Sequence, residues 1–222
     1  MVRFFSLFLL FALSACASPL PEEARFPHFT DPIGDKEISI AIVDHRTFIL
    51  NGDKEPWFEG IFRGEFGIPF SHARPVPDTA QGTDKTQPFA LYLSKMIKEA
   101  VEEAGAKGEI IEIAAGTNLE ETRNILATEK NPALLGIMRH SRFDSGFSAD
   151  YRYDFQFVVL DSENNILADK TFAAWDETIP LSDKYNLFDM FTEIYSQKLT
   201  LMLNDPEISN ALKNLQISLT DG

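Results

Sequence analysis

Residues 151–160 open with an alternation that few folds can accommodate: Tyr151, Tyr153, Phe155 and Phe157 fall on one side, and Arg152, Asp154 and Gln156 on the other. A period of two sends successive side chains to opposite faces of a strand, so this segment needs one dry face and one wet face. Ser162-Glu163-Asn164-Asn165 is turn chemistry and reverses the chain into residues 166–175, the second strand of a meander hairpin. A ring-lined hairpin face needs a cover, and the rest of the chain supplies candidates. Pro88 opens a helix that carries Phe89, Tyr92, Leu93, Met96, Ile97, Ala100, Val101 and Ala104 on one face and stops at Gly105. Leu187, Phe188, Phe191, Ile194, Tyr195, Leu199 and Met202 mark a last long helix, and Asp205-Pro206 restarts a shorter one.

Between these, residues 38–43 are largely β-branched and read as a buried strand. Phe48-Ile49-Leu50 runs into Asn51-Gly52, which predicts a hairpin with residues 57–62. Residues 64–86, rich in Gly, Pro and polar side chains, read as one long loop. A strand is expected over 109–114, a capping box at Thr117-Asn118-Leu119-Glu120 with its helix to about 129, and another strand over 134–140. With 222 residues, 44% of them hydrophobic, the chain has enough apolar surface for a real core. The expected fold is one α+β domain over residues 35–222, a mixed or antiparallel sheet with two or three helices packed on it.

Twenty Lys and Arg against 34 Asp and Glu give a formal charge of −14, which argues against nucleic-acid partners. The single cysteine, Cys16, excludes an internal disulfide framework and thiolate metal clusters. It follows Arg3 and the apolar run 4–13, too short for a span, which needs about 20 residues. Leu13-Ser14-Ala15-Cys16 resembles the lipobox of bacterial lipoproteins. That resemblance implies a signal peptide over 1–15, cleavage before Cys16, and lipidation of its sulfur and new amino terminus. Ala17 at the next position implies outer-membrane sorting with the protein facing the periplasm; the inner membrane is the alternative. Loss of Arg3 leaves 19 basic against 34 acidic residues, a charge of −15, so anionic headgroups would repel the body and the lipid must hold it. Pro19, Pro21, Pro27 and Pro32 suit residues 16–34 to an extended tether, in which 17–32 alone would reach roughly 50 Å from the bilayer at about 3.1 Å per residue.

Catalytic chemistry finds little support. His28, His45, His72 and His140 show no metal-ligand spacing, so no metal or cofactor is expected. A hydrolase would use His45, with Ser71 or Ser141 as nucleophile, or His140, but Asp44 points away from its strand neighbour His45, and a solvated strand end is the plainer reading of Asp44-His45-Arg46. Arg139 and Arg142 form the only basic cluster; they either pair with carboxylates or make a small anion site. In residues 60–70, three glycines frame bulky apolar residues and one arginine. Phe66, Ile68 and Phe70 either tuck into the core or, with Arg63 as polar anchor, form an exposed patch that binds a partner.

Asp44-His45-Arg46, Gly-Ile-Phe-Arg-Gly-Glu-Phe-Gly-Ile-Pro at 60–69, and Pro88-Phe89-Ala90 with Leu93 together resemble a group of uncharacterised proteobacterial lipoproteins over roughly residues 38–175. Glu65 stands where a second glycine is expected. The resemblance implies a periplasmic lipoprotein and brings no activity with it. The reading that results is a non-enzymatic, lipid-anchored binding or envelope-assembly factor with an envelope protein partner. The alternative is an accessory lipoprotein for a lipid or glycan transporter, with an apolar groove between the first helix and the sheet.

Overall fold

A computed structural model describes residues 18–78, 83–181 and 184–215. Cys16 and the expected signal peptide over 1–15 lie outside them. In chain order the strands are β1 (Glu37–Asp44), β2 (Phe58–Arg63), β3 (Pro69–Ala73), β4 (Pro75–Asp78), β5 (Thr83–Thr86), β6 (Lys107–Ile110), β7 (Ala133–Ser145), β8 (Ser148–Leu160) and β9 (Ile166–Pro180). The helices are α1 (Thr47–Leu50), α2 (Phe89–Glu103), α3 (Leu119–Ala127), α4 (Leu187–Leu203) and α5 (Pro206–Lys213). The α+β architecture expected from the sequence is the one observed, a seven-stranded mixed sheet with helices packed on it.

β7 is the spine. One side of it pairs antiparallel with the whole of β8, which pairs antiparallel with β9. On its other side β1 runs parallel to its first half, from Ser39↔Ala133 to Asp44↔Met138, and β2 runs parallel to its end, from Gly60↔Phe143 to Phe62↔Ser145. Two strands thus share one flank end to end, with β7 residues 139–142 at the seam between them. Period-two burial along β8 sends Tyr151, Phe155 and Phe157 into the larger core, where α2, α4 and α5 cover them. A smaller core on the opposite face joins Val43, Leu135, Ile137 and Val158 to Leu126 of α3.

Several local expectations change. Residues 47–50 form a helical turn, not a strand, and Gly52 at φ 75° is the left-handed residue just past it. The hairpin partner of β2 is β3, so residues 64–86 hold three short strands in place of one loop. The helix cap is Asn118, whose Oδ1 accepts from the Glu121 amide at 2.9 Å, one residue later than the capping box suggested. Asp205 and Pro206 cap and open α5 as read from the sequence. The face of α2 expected to line a groove is packed shut against the larger core.

The stretch expected to stand clear as a tether is docked from Ser18 onward. The Ser18 amide donates to the Lys184 carbonyl (3.0 Å), the Phe26 carbonyl accepts from Ser196 Oγ (2.7 Å), and the His28 amide donates to Thr200 Oγ1 (3.1 Å). Asn204 then brackets the chain, donating to the His28 carbonyl and accepting from the Thr30 amide, both at 2.6 Å. Residues 18–30 therefore run parallel to α4, in the same direction along its length. Leu20, between Pro19 and Pro21, and Ile33, just after Pro32, are buried, and their apolar surface outweighs the extended, solvated state that proline favours.

Gly60 shows how tightly β2 meets the spine. A Cβ there would lie 2.4 Å from the Phe143 carbonyl oxygen and 2.9 Å from Phe143 Cβ, so the strand itself would have to move. Gly60→Ala is expected to cost at least about 2 kcal/mol. Gly64→Ala, where the new Cβ would meet only a Phe70 ring carbon at 3.4 Å, should stay within about 0.5 kcal/mol. Guanidinium unfolding midpoints of the two variants check this, and equal midpoints would contradict the close approach.

Candidate functional site

β2 ends at Arg63 and the chain turns through Gly64–Gly67 before β3 begins. The turn is closed by Gly67 N to Gly64 O (3.0 Å) and Gly64 N to Ile68 O (3.2 Å). Phe66 occupies it at φ 70°, ψ 10°, a left-handed conformation that a bulky residue rarely adopts. Its side chain gains no burial in return, being 96% exposed. Ile68 and Phe70 are 63% and 51% exposed, and Phe70 leans on Phe62 with ring centroids 4.8 Å apart. Of the two alternatives for Phe66, Ile68 and Phe70, the structure therefore places them on the surface and not in the core.

The β7–β8 hairpin brings a second apolar finger to the same end. Gly146 N donates to Ser148 O (2.8 Å), and Phe147 at the tip is fully exposed. Phe62, Phe66 and Phe147, with Arg63, Asp144 and Asp150, line a cleft of about 770 Å³ between the two loops. Arg63 joins the loops: its Nε and Nη2 donate to the two oxygens of Asp144 at 2.9 and 2.8 Å. This forked geometry holds the Asp144 carboxyl below its ordinary range, chiefly through the hydrogen bond from Arg63. Expected as an anchor for a partner, Arg63 is spent within the protein as a strut between the loops.

The two cluster arginines take separate paths. Arg139 bonds Asp154 (3.1 Å) and Gln156, whereas Arg142 reaches Asp144 at 3.3 Å. They do not converge on an anion site; both are paired with carboxylates. Arg142 instead faces Arg152 across the β7–β8 ladder. With His140, Asp144, Asp150 and Trp175 these two arginines line a shallow polar shelf of about 170 Å³, where the Arg152 guanidinium lies 4.4 Å above the Trp175 ring. Burial, then the charges of Arg152 and Arg142, lower the pKa of His140.

The other candidate groups are structural. His45 Nε2 meets the Thr117 carbonyl at 2.8 Å, Ser71 accepts from Lys54, and Ser141 shares a hydrogen bond with the Tyr151 hydroxyl, so no triad is assembled. Asp44 and Arg46, expected at a solvated strand end, are both buried. Glu59 is buried too, accepting from Tyr195 (3.1 Å) and ion-paired with Arg74 (3.4 Å), which also bonds Tyr92, Thr192 and the Phe188 carbonyl. Burial raises the Glu59 pKa against the pull of Arg74. Among the described residues, no three His, Cys, Asp or Glu side chains stand together as metal ligands would. Sequence reading missed Phe147, Arg152 and Trp175. The one available signal was a large aromatic residue in Gly146-Phe147-Ser148, a place where turn chemistry calls for a small polar residue.

No family model matches the chain, and no curated protein matches it. Among the solved structures it resembles are two from Xanthomonas campestris and Paraburkholderia phytofirmans. A Xanthomonas campestris protein of family DUF330 is 15% identical with a TM-score of 0.42, over 85% of this chain and 91% of that one. The PelC dodecamer of Paraburkholderia phytofirmans is 10% identical with a TM-score of 0.39, over 86% of this chain and 95% of its own.

Proposed function

We propose that this chain is a non-enzymatic, lipid-anchored protein facing the periplasm, attached through Cys16, and that it works by holding another envelope component at its two-loop apolar end. The observation that carries the reading is the pairing of Phe66 and Phe147, two fully presented aromatic side chains on separate loops tied together by Arg63 and Asp144. Exposed rings gathered at one end of a domain mark an interaction surface, whereas single scattered ones do not. The strained backbone at Phe66 supports the same reading, since burial in the core does not compensate for it.

The test places a photo-crosslinking amino acid at Phe66, Phe147 or Leu201 of the full chain in intact cells. Leu201 is also exposed, at 67%, but sits on α4. Adducts with an envelope component are expected at the first two positions and absent at the third; equal labelling at all three would sink the assignment of the contact. The anchor is checked separately by incorporation of labelled palmitate, which should be present in the natural chain and lost in Cys16→Ser.

A further inference from the structure

We infer that the apolar end formed by Phe66, Ile68 and Phe147 inserts into the interfacial layer of the bilayer beside the lipid on Cys16, so that the membrane itself is the component this surface grips. The inference rests on the anchoring reading above and adds to it where the chain leaves the fold. Ser18, the first described residue, is bonded to the Lys184 carbonyl. Lys184 lies four residues past Pro180, a reach of at most about 14 Å, and Pro180 pairs with Ser148, the neighbour of Phe147. Cys16 is only two residues before Ser18, a further reach of about 7 Å at most. Together with the hydrogen-bonded and strand-paired steps of about 5 Å each, these reaches place the lipidation site within about 35 Å of Phe147. An anchor this short brings that end of the domain against the membrane surface.

The chemistry of the end fits a lipid interface better than a charged partner. The arginine beside the rings is held by Asp144 in a forked pair, and Asp150 accepts from the Thr178 amide at 3.0 Å. The anchored chain, with a formal charge of −15 once Arg3 is lost, is repelled by anionic headgroups, so attraction must come from apolar contact. Phe and Ile on loop tips supply it, as the apolar faces of peripheral membrane proteins do.

The experiment uses lipidated full-length protein reconstituted in phosphatidylcholine vesicles that carry brominated acyl chains. Phe66→Trp and Phe147→Trp each add an emitter to the natural Trp57 and Trp175, whose emission in the unsubstituted protein is the background. Emission from each added tryptophan should fall about twofold or more in brominated relative to plain vesicles, because interfacial side chains reach about 5–10 Å into the acyl boundary. Unquenched emission from both, in protein whose Cys16 carries labelled palmitate, would overturn insertion and leave the anchor standing. Crosslinks from Phe66 and Phe147 to protein alone would overturn it equally. Absence of the palmitate label would instead remove the anchoring reading on which the inference rests.

Discussion

Arg46→Met is expected to destabilise the protein by about 3–5 kcal/mol, the usual cost of leaving a buried charge without its partner. Arg46 is 0% exposed and Asp44 only 4%. Its Nε and Nη2 donate to Asp44 at 3.0 and 2.7 Å, its Nη1 to the Phe58 carbonyl at 2.6 Å, and its Nη2 to the Pro56 carbonyl at 3.2 Å. A longer contact reaches the Ser141 carbonyl at 3.4 Å. The Phe89 and Phe48 rings lie 5.1 and 5.3 Å from the guanidinium carbon. These contacts fall where β1 has ended and β2 has not yet begun along β7, the one stretch of the spine where no strand is paired on that flank. Unpaired carbonyls there would be expensive, and a guanidinium can serve several at once. Methionine matches the volume but donates nothing, so Asp44 and the seam carbonyls lose their partners together. The unfolding midpoint in guanidinium should fall steeply. Adding Asp44→Leu to Arg46→Met should restore part of the loss, since the stranded carboxylate is gone. A single variant within about 1 kcal/mol of the natural protein would refute the seam argument.

Asp44-x-Arg46 also shows what the sequence could and could not reveal. The alternation at 151–157, the helix faces at 89–104 and 187–202, and the Asp205-Pro206 cap depend on spacing along the chain, and each was legible there. The role of Arg46 depends on two strands meeting end to end on a third, which no local pattern announces. The same applies to Phe48-Ile49-Leu50. Its residues favour strands, yet the chain must turn just after Arg46 reaches into the seam, and a helical turn ending near Gly52 achieves this. The unusual composition of residues 60–70 drew attention to a stretch whose Phe66, Ile68 and Phe70 side chains are exposed. Its other half, Phe147, joins through the register Phe62↔Ser145 and could not be placed without the fold. In residues 18–34 the prolines suggested an extended spacer, but the apolar residues beside them were the stronger signal, because Leu20, Phe26 and Ile33 pack on the body of the domain.

Acid should loosen the contact between β3 and α4, and His72→Phe should remove most of that sensitivity. The His72 ring is 8% exposed, 4.6 Å from the Phe188 ring and 5.3 Å from Phe191, and its Nε2 is buried without a hydrogen-bond partner. Arg74, just past the end of β3, adds a positive charge nearby; burial first and this charge second push the His72 pKa down to about 4. In the unfolded chain histidine titrates near 6.5. Between those values the unfolded state binds the proton and the folded state does not, so stability falls as the pH drops from about 6.5 to about 4. The loss approaches about 3 kcal/mol at the bottom of that window, from about 1.4 kcal/mol per unit. Glu59 works in the opposite sense, because burial raises its pKa and protonation on acidification favours the folded state. His140, with its lowered pKa, works in the same sense as His72. Both groups are present in the natural protein and in His72→Phe, so the difference between the two isolates His72. Phenylalanine keeps the stacking on Phe188 and Phe191 and removes the unpartnered nitrogen. Unfolding midpoints measured at about pH 7 and about pH 4.5 should converge for the variant and diverge for the natural protein. Parallel pH dependence in the two would mean that His72 takes its proton without cost, and that the acid sensitivity lies elsewhere.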